Sequence, residues 1–137
     1  MLRTIIPTVA LLLAMPLGAQ AASLADFNLN KSLQATAEAS NQNPQGNLPV
    51  GLTDKGFTVE GTVLTKHLVA TQALALNMLK NKEAAASALG ASVCRNSELR
   101  NLLTRGAIVR FDVRDDENNI QVLNQDIRAE NCQQRKG

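Results

Sequence analysis

The most regular pattern in the chain runs from Val109 to Arg114. There Val109, Phe111 and Val113 alternate with Arg110, Asp112 and Arg114, as in a strand with one covered and one wet face. Asp115 to Asn119 is a polar turn, and Ile120 to Arg128 returns as a partner strand. The apolar phase of that return slips between Val122 and Leu123, where a bulge fits. A second hairpin is predicted over Val50 to Ala70, which is rich in valine, leucine and threonine and turns at Glu60 and Gly61. Its later half sets Val63, Thr65, His67 and Val69 on one face and Leu64, Lys66, Leu68 and Ala70 on the other.

Helical spacing governs the other segments. Ser23 to about Ser40 spaces Leu24, Phe27, Leu29 and Leu33 along one side of a helix. Asn41 to Asn47 holds Pro44, Gly46 and no apolar residue, so a loop is expected there. Gln72 to Val93 reads as one alanine- and leucine-rich helix ending near Gly90, with Leu76, Leu79, Ala86, Leu89 and Val93 at helical spacing. A shorter helix starts at an Asn96 or Ser97 cap, takes Glu98 in its first turn, buries Leu99, Leu102 and Leu103, and stops at Gly106. Helix, hairpin, two helices and hairpin give an α+β fold: an antiparallel sheet of about four strands with helices on one face.

The first 21 residues change the setting. Arg3, a short apolar run through Leu11 to Met15, the breakers Pro16 and Gly18, and the small-x-small sequence Ala19, Gln20, Ala21 have the layout of a secretory signal peptide. The apolar run is shorter than the roughly 20 residues of a spanning helix, and no cysteine follows Ala21 to take a lipid, so no membrane anchor is expected. Removing residues 1 to 21 from 137 leaves 116, enough for a single domain over 22–137 with residues 133–137 frayed. The expected location is the periplasm or the medium beyond it.

Export bears on the two cysteines, Cys94 and Cys132, because an even count in an oxidising compartment implies a bridge. A metal site would need more ligands than one histidine offers, and a redox pair would take the Cys-x-x-Cys form. No metal or other cofactor is expected. The whole chain carries +2, and the mature part is nearly neutral once Arg3 leaves. That charge, with three phenylalanines and no tyrosine or tryptophan, argues against nucleic acid and stacked sugars as ligands.

The block from Cys94 through Leu99, Arg100, Leu102, Leu103 and Gly106 to Val109, Arg110, Phe111, Asp112, Val113, Asp115 and Cys132 resembles a known family. It is that of the small exported proteobacterial proteins called "putative quorum-sensing-regulated virulence factors", and Leu48 and Pro49 suit the same pattern. The resemblance implies a small exported α+β protein associated with virulence. It brings no catalytic residues.

Three groups of residues invite a chemical reading. His67 is the sole histidine, and a catalytic role would require an acid and a hydroxyl brought to it by folding. Asp115 to Asn119 offers oxygen ligands, but Ile120 stands where a calcium loop needs glycine, so a solvated turn fits better. Arg110, Asp112 and Arg114 form either a recognition strip for a protein partner or an ordinary solvent face whose charges pair with Asp126 or Arg128. With no nucleophile, metal or phosphate motif, the function expected first is a non-enzymatic exported protein that binds an unidentified protein partner. A periplasmic hydrolase using His67 and an inhibitor of an extracellular hydrolase are the alternatives, and the oligomeric state is left open.

Overall fold

A computed structural model describes residues 17–42 and 48–133. Its elements are α1 (Leu17–Gln42), β1 (Leu52–Glu60), β2 (Val63–Ala70), α2 (Gln72–Lys80), α3 (Lys82–Arg95), α4 (Ser97–Thr104), β3 (Ile108–Asp115), β4 (Gln121–Ile127) and α5 (Ala129–Gln133). The apolar core of the expected leader, residues 43–47 of the expected loop and the tail from 134 lie outside the described residues. Asn41 and Gln42 are the last residues of α1 rather than the start of a loop.

The four strands form one sheet in the order β1-β2-β3-β4. Both expected hairpins are present as antiparallel pairs, but β2 and β3 run parallel, with Leu64 opposite Val109 and Leu68 opposite Val113. The expectation of an antiparallel sheet is therefore corrected to a mixed one. The cause lies in the connection: three helices between β2 and β3 are long enough to carry the chain back to the end where β2 began, which a tight turn cannot do.

Each edge strand carries a bulge. On β1, Lys55 and Gly56 together oppose His67, and Gly56 takes the positive φ of 98° that an L side chain resists. On β4 the register shifts where Val113 faces Leu123 and Arg114 faces Gln121, so Val122 is the extra residue, at the phase slip in the sequence. Bulges of this kind twist an edge away from pairing with another chain.

Burial separates the two faces of the sheet. Leu64, Leu68, Val109, Phe111, Val113, Leu123 and Ile127 point to the covered face and are buried, as are Leu29, Leu33 and Ala37 of α1 above them. Helix α1 is tied to the first hairpin at two points: Asn30 Nδ2 donates to the Gly61 carbonyl at 2.6 Å, and the Asn41 amide both donates to and accepts from the Phe57 backbone.

The expected long helix breaks at Asn81. This residue leaves helical geometry (φ −128°, ψ 55°), and its side chain donates to the carbonyl and side-chain oxygens of Asn77. Restarting the helix resets its phase, so Ala75 and Met78 are the buried residues of α2, while Leu76 and Leu79 face outward at 54% and 47% exposure. Helix α4 follows its expected plan, with the Asn96 side chain accepting from the Leu99 N–H at 3.0 Å.

Candidate functional site

The helices on the covered face fall into two groups. Helix α1 lies along the first hairpin, and α2, α3 and α4 lie towards β3 and β4. Between them is a groove of about 490 Å³ whose floor is the sheet itself. Its walls come from Thr36, Ala39 and Ser40 of α1 and from Leu89, Ser92, Val93, Glu98 and Leu99 of α3 and α4. A concave site that combines apolar and polar groups is a form a binding site can take.

The polar floor comes from Lys66, which alternation sets on the same face as Leu64 and Leu68, and from Asp54, which the β1 bulge turns onto that face. Lys66 Nζ lies 2.6 Å from Asp54 Oδ2, with the two side chains only 16% and 17% exposed. The other Asp54 oxygen accepts the Gly56 N–H at 2.7 Å, so the β1 bulge holds the carboxylate in place. The same ammonium sits 4.4 Å from the Phe57 ring centroid, within cation–π range. Sequence reasoning placed Lys66 on this face but missed the pair with Asp54, because the bulge shifts the register and turns Asp54 to a face that simple alternation does not give it.

On the opposite face of the sheet the side chains of β2 and β3 are half-buried rather than buried. Here Thr58 Oγ1 lies 2.8 Å from His67 Nε2, and His67 Nδ1 lies 3.7 Å from Asp112 Oδ2. Asp112 is held in turn by Arg114 Nε at 3.2 Å and Gln121 Nε2 at 3.1 Å. Folding thus brings His67 the hydroxyl and the acid that a catalytic reading asks for, on three adjacent strands. The 3.7 Å gap is longer than a hydrogen bond, and the Asp112 carboxylate is shared with a guanidinium.

Arg110, Asp112 and Arg114 do share this open face, but their charges are matched within the sheet. Arg110 makes two bonds to Asp126, Nε to Oδ1 at 2.7 Å and Nη2 to Oδ2 at 3.2 Å. Those bonds are the main cause of an Asp126 pKa below the ordinary carboxylate value and an Arg110 pKa above its own. In the turn beyond β3, Asp115 Oδ1 accepts the N–H groups of Glu117 and Asn118 at 2.7 and 2.9 Å, the geometry of a side-chain-stabilised turn. Cys94 and Cys132 form a disulfide that joins the end of α3 to α5.

Solved structures share this fold. A "putative secreted protein" from Pseudomonas aeruginosa is 35% identical and matches with a TM-score of 0.73 over 80% of this chain and 96% of its own. The pilotin EpsS of the Vibrio vulnificus type 2 secretion system is 14% identical, with a TM-score of 0.66 over 80% of this chain and 96% of its own. The type II secretion system pilotin AspS of Vibrio cholerae is 20% identical, with a TM-score of 0.62 over 82% and 99%. No relative is found among curated proteins. The family model described as "Putative quorum-sensing-regulated virulence factor" matches residues 22–133, essentially the whole described domain, and the chain belongs to that family.

Proposed function

We propose that this is an exported, non-enzymatic binding protein, and that it engages a partner protein through the groove between α1 and the α3–α4 pair. The groove carries the reading: it is concave, its walls mix Leu89, Val93 and Leu99 with polar side chains, and its floor holds a fixed Lys66–Asp54 pair that can discriminate among occupants. The family description, the secreted relative and the disulfide all suit work outside the cytoplasm, in the periplasm or beyond it, in a virulence setting. Arg110, Asp112 and Arg114 are the second candidate surface, weakened by their internal pairing.

Affinity capture from a producing cell's envelope fraction tests the choice of surface. Ala39→Trp and Ser92→Trp fill the groove from opposite walls at residues exposed to solvent, and each should abolish capture of the protein retained by wild type. The pair Arg110→Glu and Arg114→Glu should leave capture intact. The reverse result would move the site to the open face.

The Thr58–His67–Asp112 alignment favours one second reading, acyl transfer. Thr58 Oγ1 would attack an ester carbonyl, His67 Nε2 would take its proton and return it to the leaving alcohol, and water would then release the acyl group. The 3.7 Å gap between His67 and Asp112 and a carboxylate engaged by Arg114 rank this below binding. If 4-nitrophenyl butyrate is cleaved no faster by wild type than by Thr58→Val and His67→Gln, the reading is removed.

A further inference from the structure

The groove has a sign as well as a shape. Its charged lining is Asp54, Lys66 and Glu98, two carboxylates to one ammonium, in a chain whose total is +2. The Lys66 charge is already matched by Asp54, and the ammonium is fixed between that carboxylate and the Phe57 ring. Glu98, by contrast, is exposed at the groove wall and makes no ion pair with any other described residue. A basic side chain entering the groove gains an acidic partner. An acidic one meets two carboxylates and an ammonium that is already committed.

We infer that the occupant is an apolar protein segment carrying one basic residue, which pairs with Glu98 at the groove wall. This rests on the groove reading above and adds the partner's chemistry to it. The apolar side chains of the segment would lie against Leu89, Val93 and Leu99. An ammonium has three donors, and Asp54 takes one of those of Lys66, so the floor can still donate to a carbonyl of the segment. The Lys66–Asp54 pair is then a neutral, polar floor, and Glu98 is the residue that selects charge.

The test uses the purified exported protein and three synthetic peptides of alternating leucine and alanine, identical except for a central Lys, Gln or Glu, followed by fluorescence anisotropy at low salt. The lysine peptide should bind about two- to fivefold more tightly than the glutamate peptide, the range of an exposed ion pair. The order should reverse in Glu98→Lys and flatten as salt is raised. Ala39→Trp and Ser92→Trp, which add no charge, should weaken all three peptides together. Equal affinities for the three peptides, all lost in the tryptophan variants, would overturn the charge assignment and leave the groove standing. Tighter binding of the glutamate peptide would do the same. Binding that the tryptophan variants do not reduce, or no binding at all, would overturn the groove reading and this inference with it.

Discussion

Arg110 and Asp126 face each other across β3 and β4, and the guanidinium grips the carboxylate with two bonds of 2.7 and 3.2 Å. These hydrogen bonds hold the Asp126 pKa below its ordinary value, with burial opposing them and the charge of Arg110 assisting. A carboxylate whose pKa is lower in the folded than in the unfolded chain stabilises the fold above the unfolded value. That contribution is lost as pH falls through the folded one. Asp126→Asn should therefore cost about 0.5–1 kcal/mol near neutral pH, the scale of a well-formed surface pair. Urea titrations of wild type and variant should converge as pH drops below about 4, because Arg110 keeps its charge throughout and only Asp126 titrates.

The β1 bulge depends on a contact with α1. Asn41 Oδ1 accepts the Phe57 N–H at 2.8 Å and its Nδ2 donates to the Phe57 carbonyl at 3.1 Å, so the side chain stands in for a neighbouring strand. Asn41→Ala should cost about 1–2 kcal/mol through these bonds. Gly56→Ala should cost more, because φ is 98° and a Cβ would lie 2.9 Å from Asn41 Oδ1. In a double-mutant cycle the Gly56→Ala penalty should shrink once Asn41 is alanine. Strict additivity would mean that backbone strain alone sets the cost.

At the groove floor, Lys66→Met keeps most of the apolar stem and removes the ammonium. Asp54 is then left with the Gly56 N–H while still only 17% exposed. Stability should fall by about 1–3 kcal/mol, the usual cost of stranding a largely buried polar group. Asp54→Asn in the Lys66→Met background should recover part of the loss, read as a shift in the urea midpoint at unchanged m-value.

Much of this fold is legible in local pattern. The alternation of Val109, Phe111 and Val113 assigns their faces, the slip at Val122 locates the β4 bulge, and Asn96 marks the start of α4. These features depend on residues a few positions apart, where period and cap chemistry act directly. The parallel β2–β3 pair does not: a helical connection permits it, but which strand edges meet is settled by how the helices pack. The break at Asn81 was hidden for a related reason, since no glycine or proline stands beside it in an alanine- and leucine-rich run, and the exposed Leu76 and Leu79 show the phase that an unbroken helix would have misassigned. The candidate sites were the least legible. Asp54 with Lys66, and Thr58 with His67 and Asp112, are contacts between strands, and a bulge that shifts the register by one residue decides who meets whom.

The disulfide offers the largest single effect. Cys94 and Cys132 are 38 positions apart and fasten α5 to the end of α3, whose residues form one wall of the groove. For a loop of that length the chain-entropy relation gives about 3–4 kcal/mol, a large share of the roughly 5–15 kcal/mol that holds a small domain folded. The double substitution Cys94→Ser and Cys132→Ser should lower the urea midpoint accordingly and leave a folded but weaker domain. Because α5 contacts both α3 and α4, the loss should appear first at that wall. Amide exchange in α5 and the last turn of α3 should then accelerate before exchange in the β2–β3 pair does, whereas uniform acceleration would mean that the bridge acts only on the unfolded chain.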